Sequence, residues 1–149
     1  MKITGWKMGS AVFAFCLATA IANSAQTFTS LISFDVANGE TPESALVQGP
    51  NGNFYGTTYY GGSTGCFQGC GTVFEITPAG QLTTIYDFCS QSACADGANP
   101  VAGVVVGPGG NLYGTTANGG AITLGTVFEI TPAGQLTTLH SFYVSSFLR

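Results

Sequence analysis

One fourteen-residue segment occurs twice in this chain without a single change, and this repeat constrains the fold more than any other feature. The segment GTVFEITPAGQLTT begins at Gly71 and again at Gly125, an offset of 54 residues. A second pair, NGNFYGTT from Asn51 and GGNLYGTT from Gly109, matches at an offset of 58 residues. The sequence therefore predicts two similar units, neither of which covers its own apolar face, so that they must stack on each other.

Each unit has the pattern of a small antiparallel β-sheet, because β-branched and aromatic runs alternate with turn residues. In TPAG at 77–80, proline presets φ for a tight turn and glycine supplies the left-handed conformation. In the strand just before this turn, Phe74 and Ile76 alternate with Val73 and Glu75, which predicts a sheet with one better-buried face. The predicted strands are 45–49, 53–59, 72–77 and 81–88 in the first unit, and 103–107, 111–117, 126–131 and 135–142 in the second.

Four antiparallel strands in a unit of this length are typical of a β-propeller blade. A propeller closes with about four to eight blades, whereas this sequence has two repeats, 35–88 and 89–142, and a lone copy of the fourth strand at 27–34. We therefore expect an all-β, partial propeller-like domain over residues 26–142, followed by a non-repeat tail at 143–149. Three explanations fit this small number of blades. The chain is a truncated product, a fragment of a longer array, or a protomer that completes a ring with other copies.

The first 25 residues have the pattern of a secretory signal peptide, which we expect to be helical. Two lysines precede an apolar run of about 14 residues, which is shorter than the roughly 20 residues that span a bilayer. Cleavage is expected between Ala22 and Gln26, and Cys16 lacks the small-residue context of a lipidation signal. The mature protein is thus expected to be secreted or extracellular, with the periplasm as an alternative location, and without a membrane span.

The charge of the mature chain excludes one class of partner. After cleavage Arg149 is the only basic residue left against seven acidic residues, a formal charge of about −6. Nucleic acid binding needs clustered lysine and arginine to replace counterions. We therefore expect no nucleic acid partner, and a carbohydrate or a protein at the cell surface instead.

Four cysteines remain in the mature chain, in two close pairs, Cys66 with Cys70 and Cys89 with Cys94. In an exported protein an even number of cysteines indicates disulfides. Local bridges are the simplest pairing, although three pairings are formally open. A four-thiolate metal site is the alternative, but the spacings CxxxC and CxxxxC depart from the usual CxxC, and free thiolates oxidise outside the cell.

The repeat units resemble a known family. The segments LVQGPNGNFYGTTYYGG, GTVFEITPAGQLTT and CSQSACADGANP are similar to the GloVer tandem repeat family, exported bacterial proteins often labelled "choice-of-anchor". The resemblance covers about residues 27–142. It implies a secreted, propeller-like protein without an assigned biochemical role, usually with more repeats. Members often carry a C-terminal anchoring signal, and none is recognisable in YVSSFLR at 143–149.

The recurring carboxylates suggest glycoside hydrolysis, which uses a pair of acidic side chains. Glu75 and Glu129, however, occupy equivalent positions, whereas a catalytic acid and base need environments that push their pKa values apart. We therefore interpret both as part of the scaffold. His140, the sole histidine, aligns with Tyr86 and Ile32, so this position favours no general base.

Two further features have a functional and a structural interpretation. The oxygen-rich loop around Asp96 could bind Ca²⁺, but it offers one carboxylate, and Asn38 takes the equivalent position in the first repeat, so a structural turn is favoured. Tyr59 and Tyr60 align with Ala117 and Asn118, outside the repeated core, and are candidate ligand contacts on an exposed rim.

Taken together, the residues predict a non-catalytic secreted repeat protein, without a cofactor or metal, that serves as a scaffold, adhesion or ligand-binding surface. The alternatives are a carbohydrate-active enzyme that uses carboxylates, and a remnant of a longer array.

Overall fold

The computed structural model describes residues 27–62 and 65–144 of the chain. The predicted signal peptide, with its cleavage site and Cys16, and most of the predicted tail lie outside these residues. Among the helices of this part of the chain, none has the length and apolar character needed to cross a membrane.

The described residues form two antiparallel four-stranded sheets, each with its strands in sequential order. The first sheet, blade 1, consists of β1 (Val47–Gln48), β2 (Phe54–Thr58), β3 (Thr72–Ile76) and β4 (Leu82–Asp87). The second sheet, blade 2, consists of β5 (Val105–Val106), β6 (Leu112–Thr115), β7 (Thr126–Ile130) and β8 (Leu136–Ser141). All eight strands confirm the predicted ones, with ends that differ by at most two residues.

The hairpins close with the turns that the sequence predicts. In the TPAG turn of blade 1, the Gly80 N–H donates to the Thr77 carbonyl over 2.9 Å, and φ of Gly80 is +86°. The turn of blade 2 repeats this geometry at Gly134, with a φ of +79°. This left-handed conformation strains any residue with a Cβ, which explains glycine at both positions.

The two blades also share their strand register. Phe74 of β3 lies opposite Gly56 of β2, and Phe128 of β7 lies opposite Gly114 of β6. A Cβ on Gly114 would come within 2.5 Å of the Phe128 ring, so the large side chain requires glycine as its neighbour. Both blades carry a register shift between this phenylalanine and the residue before it, a β-bulge at the same position in each repeat.

The core lies between the blades. We call the face with Phe74 and Ile76, or Phe128 and Ile130, the front face of each blade, and the opposite face the back face. The front face of blade 2 packs against the back face of blade 1, where Val73 and Phe128 are both 0% exposed. The expectation of one better-buried face holds for the central strand of blade 1, because Phe74 and Ile76 of the front face are both buried whereas Glu75 on the back face is only partly buried. It also holds for blade 2, because Val127 on the back face is only partly buried.

The predicted extra strand at 27–34 is not a strand, which corrects the sequence-based assignment. The segment lies irregularly across the front face of blade 1. There the Phe34 ring packs on Phe74 with centroids 4.9 Å apart, as the Phe88 ring packs on Phe128 at 5.1 Å. The segment thus takes the place on blade 1 that the end of β4 takes on blade 2. Among the described residues no β3-like strand lies beside it, so its backbone finds no ladder there to join.

Buried threonine pairs fix the ends of the central strands. The Thr58 and Thr72 hydroxyls lie 2.9 Å apart, and the Thr72 N–H donates to the Thr58 hydroxyl over 3.1 Å. Thr116 and Thr126 repeat both contacts in blade 2, at 2.9 and 3.0 Å. Buried polar groups need such partners, so these pairs hold the loops that begin at the strand ends. Within the described residues the two blades do not close into a propeller or a barrel.

Candidate functional site

A hydrogen-bonded carboxylate lies on the back face of blade 1, at the junction with blade 2. One oxygen of Glu75, Oε1, accepts hydrogen bonds from the Asn53 amide (2.7 Å), the Tyr55 hydroxyl (2.8 Å) and the Asn51 amide (3.0 Å). The Asn53 bond is the main reason that the pKa of Glu75 lies below its usual value, against the opposing effect of burial. Burial and the bond to Glu75 raise the pKa of Tyr55.

Blade 2 repeats this arrangement on its own back face. Oε1 of Glu129 accepts hydrogen bonds from the Asn111 amide at 2.5 Å and from the Tyr113 hydroxyl at 2.7 Å. The bond to Glu129 raises the pKa of Tyr113. Gly109 stands where blade 1 has Asn51, so this network has one amide donor fewer. The two recurring glutamates are therefore held in nearly the same way by donors of their own blade.

A polar cavity of about 120 Å³ lies beside the first of these networks, between the blades. Its walls include Asn51, Tyr55 and Glu75 of blade 1 and Leu112 and Pro132 of blade 2. The Glu129 network faces away from this junction, on the back face of blade 2. The structure thus places the two carboxylates on successive blade faces rather than across one cleft.

A larger apolar cavity of about 340 Å³ lies on the front face of blade 1, beneath the segment 27–34. Phe28, Leu31 and Phe34 of the segment and Leu46 and Phe74 of the blade contribute to its walls. This cavity was not predicted, because the sequence assigned the segment to a strand. The alignment of Phe34 with Phe88 was the signal that could have placed the segment over this face.

Asp96, the candidate calcium ligand, is fully buried, at 0% exposure. Its Oδ2 accepts hydrogen bonds from the Tyr86 hydroxyl (2.8 Å) and the Ser90 N–H (2.9 Å), and its Oδ1 accepts from the Gln91 N–H (3.3 Å). Burial and the bond to Asp96 raise the pKa of Tyr86 strongly. These contacts make Asp96 an anchor of the connection between the blades, in keeping with the predicted structural turn. The Tyr86 contact was missed, because blade 2 has no copy of it.

The equivalent turn before blade 1 is built differently. Asn38 and Asp35 exchange side chain to backbone hydrogen bonds of 2.9 and 3.0 Å. A backbone bridge then follows in each repeat, from Glu40 to Tyr60 and from Ala98 to Asn118. The two connections therefore share their path while their side chains differ.

Tyr59 and Tyr60, the candidate ligand contacts, directly follow β2 and are both partly exposed. Their rings pack edge to face with centroids 4.5 Å apart. His140 lies on β8 opposite Val127, is exposed, and packs its ring against Phe142 at 5.2 Å. The structure therefore keeps the two tyrosines together and leaves the histidine on a strand surface.

The cysteines of the described residues form one cluster beside blade 1. Cys66 lies at disulfide distance from Cys70, with Cα atoms 5.3 Å apart, and Cys89 lies at disulfide distance from Cys94, with Cα atoms 4.0 Å apart. These are the local pairings that the sequence favours. The four sulfur atoms also lie within 4.8 Å of one another. This convergence of the two pairs was not predicted.

Comparison with known families agrees with this architecture of tandem blades. The sequence profile of the family described as the Gloeobacter/Verrucomicrobia repeat matches residues 12–147. The chain belongs to this family. The resemblance of its GTVFEITPAG and NGNFYGTT segments to the GloVer repeat is thereby confirmed. No curated protein matches this Gloeobacter/Verrucomicrobia repeat protein.

Proposed function

We propose that this repeat protein is a non-catalytic exported module that serves as an extracellular scaffold or binding surface. The main support for this proposal is the way in which the carboxylates of Glu75 and Glu129 are hydrogen-bonded. Each carboxylate is engaged by an amide and a phenol of its own blade, on successive blade faces. A glycosidase needs two carboxylates a few ångströms apart, with pKa values pushed in opposite directions. Two copies of one scaffold network do not meet this need.

A reducing-end assay on a panel of polysaccharides tests the absence of catalysis. The oxidised mature protein should release no more reducing ends than its Glu75→Gln and Glu129→Gln variants. Circular dichroism of both variants serves as the control that they fold. Turnover by the parent protein that disappears in either folded variant would instead establish the alternative, a carbohydrate-active enzyme.

Export is supported by the cysteine pairs, since disulfides persist in oxidising compartments and are rare in the cytosol. Cell fractionation of the producing bacterium should place the protein outside the cytoplasm, with mass spectrometry giving an N-terminus between residues 23 and 26. Recovery of the full-length chain from the cytosol would contradict the proposal.

The partly exposed pair Tyr59 and Tyr60 is the proposed ligand contact of this module. Aromatic rings with free faces stack on sugar rings and are enriched at protein interfaces. Blade 2 provides the matched control, because the repeat folds with Ala117 and Asn118 at the same positions. A Tyr59→Ala and Tyr60→Asn double variant should therefore fold while losing any binding that the parent shows on a glycan array. Unchanged binding would exclude the pair.

Self-association that completes a ring is the remaining part of this proposal. The back face of blade 2 repeats that of blade 1 and leaves Val105 and Leu139 exposed, at 63% and 50%. The front face of blade 1, which would receive it, is covered by the segment 27–34. Ring closure therefore requires this segment to move aside. Analytical ultracentrifugation should show a discrete oligomer that Val105→Asp abolishes, whereas polydisperse aggregates would favour a remnant with unpaired edges.

A further inference from the structure

The cysteine cluster is assembled from two separate connections of the chain. Cys66 and Cys70 lie in the loop between β2 and β3, and Cys89 and Cys94 lie in the connection that follows β4. The two connections touch, since a Cβ on Gly65 would come within 3.1 Å of the Cys89 sulfur. Two independent local disulfides would not need to meet in this way.

Blade 2 shows that a blade forms without such a cluster. Its β6–β7 connection contains AITL at 121–124 where blade 1 has the cysteine loop, and no cysteine occurs after residue 94. Blade 2 nevertheless has the same strand order and the same bulge as blade 1. The cluster is therefore an addition to the repeat rather than a requirement of it.

The four sulfur atoms are bonded in pairs, and the two pairs lie close enough together to surround one tetrahedral metal ion once both S–S bonds are reduced. Zinc binds thiolate sulfur at about 2.3 Å, which places the sulfurs of a four-thiolate site about 3.8 Å apart. The four sulfurs here all lie within 4.8 Å of one another. The spacings of three and four intervening residues are longer than the commonest CxxC, but they stay within the range of about two to four that structural zinc sites use. Cys70 is 1% exposed and the other three cysteines are partly buried, so the cluster is largely shielded from water.

Hydrogen bonds hold both connections independently of any sulfur bond. The Asn99 N–H donates to the Cys70 carbonyl over 2.7 Å. The Cys89 N–H donates to the Gly97 carbonyl at 3.1 Å, and the Gly97 N–H donates to the Cys94 carbonyl at 2.9 Å. None of these bonds involves sulfur, so we expect them to keep the four thiols close together after reduction.

We propose that the four cysteines form a redox-gated site for a soft divalent metal ion of the zinc class. A dithiol reductant supplies two electrons and two protons to each disulfide and is itself oxidised to a disulfide. The four thiols then bind one Zn²⁺ and release four protons. Reoxidation by two molecules of a small disulfide, which take up four electrons and leave as four thiolates, converts the cluster back to two protein disulfides and releases the metal.

Cobalt is a suitable probe, because tetrahedral Co²⁺ bound to thiolates has intense visible and charge-transfer absorption. The mature protein is reduced anaerobically with a phosphine and titrated with Co²⁺, and the oxidised protein is titrated in parallel. We expect one Co²⁺ per reduced chain with a tetrahedral spectrum, its displacement by Zn²⁺, and no binding by the oxidised chain. Native mass spectrometry should show one zinc and the loss of four protons.

The Cys94→Ser variant tests whether all four sulfurs bind the ion. With three thiolates, the charge-transfer absorption should fall and the cobalt affinity should drop by at least about tenfold, the scale seen even for outer-shell changes at metal sites. Circular dichroism checks that the variant folds. If reduction alone unfolds the parent chain, metal added before reduction should retain the sheet signal.

Several results would overturn the proposal. These are an octahedral spectrum, one metal per two chains, an unchanged spectrum in folded Cys94→Ser, or a reduced chain that neither binds metal nor keeps its fold in the presence of metal. Equal binding by the oxidised protein would also overturn it, because the disulfides would then not gate the site.

Discussion

Replacement of Phe88 by alanine tests the contact between the blades. Phe88 lies at the end of β4, is 1% exposed, and packs its ring on Phe128, which is 0% exposed. Truncating a phenylalanine at such a site lowers the free energy of unfolding by about 3–5 kcal/mol, because the lost burial adds to the cavity left behind. Domains of this size unfold with about 5–15 kcal/mol, so the variant should be marginal.

Phe34→Ala is the matched control for this change. Phe34 makes the same ring contact with Phe74, at 4.9 Å and 65°, against 5.1 Å and 63° for Phe88 with Phe128. It is only partly buried, because the described part of the chain places a sheet on one side of the segment 27–34 alone. The loss should therefore be smaller, about 1–2 kcal/mol from the area removed from water.

Urea unfolding followed by circular dichroism and tyrosine fluorescence measures both losses. Tyrosine is the useful fluorophore, because the only tryptophan, Trp6, belongs to the predicted signal peptide. A double-mutant cycle of Phe88→Ala with Phe128→Ala should also show a coupling of about 0.5–1.5 kcal/mol for the aromatic pair. If Phe88→Ala lowers the unfolding free energy no more than Phe34→Ala does, the blades do not share a core and the reasoning is wrong.

Three further predictions follow from the buried polar contacts. Thr58→Val and Thr116→Val should each lower the unfolding free energy by about 1–3 kcal/mol, because each leaves a buried N–H unpaired; clearly unequal losses in urea unfolding would mean that the two threonine pairs are not equivalent. Since the pKa of Glu75 is lowered from 4.5, its contribution to stability is complete above this pH and is lost as the pH falls through the lowered pKa. The melting temperature of Glu75→Gln should therefore fall less between pH 7 and pH 3 than that of the parent, and parallel curves would contradict this. The shift of the Tyr86 pKa is upward, so its contribution to stability is complete below pH 10 and is lost as the pH rises further. Tyr86→Phe should remove the most alkaline step from a tyrosinate absorbance titration, and loss of a step near pH 10 instead would show that this phenol is not perturbed.

The sequence predicted the blades well because each strand has a local signature and a second copy to check it against. The eight strands, the TPAG turns and the local cysteine pairs all follow from patterns within a few residues. The path of 27–34 could not be predicted in this way, because its sequence is that of a fourth strand, whereas no strand of the described residues lies beside it to pair with. Local preference is outweighed there by tertiary context.

The contacts at the candidate sites were harder to predict for a related reason. The bond between Tyr86 and Asp96 and the convergence of the four sulfurs join connections that occur once in the chain. A repeat offers no second copy of such features against which to compare them. The position of Glu75, in contrast, recurs at Glu129 and could be assigned to the repeat from the sequence, although its asparagine and tyrosine donors were identified only in the structure.

The matching faces of the two blades also bear on how such a gene changes. On the back face of blade 1, Val47 and Tyr55 pack against the core that this blade shares with blade 2. The equivalent Val105 and Tyr113 on the back face of blade 2 are covered by no further blade of the described residues. Recombination between the identical fourteen-residue segments would insert one further repeat in frame. The blade formed by this repeat could then pack on the back face of blade 2 as blade 2 packs on blade 1. Lengthening or shortening of the array therefore needs no accompanying substitutions, and closely related chains should differ by whole repeats more readily than by altered contacts.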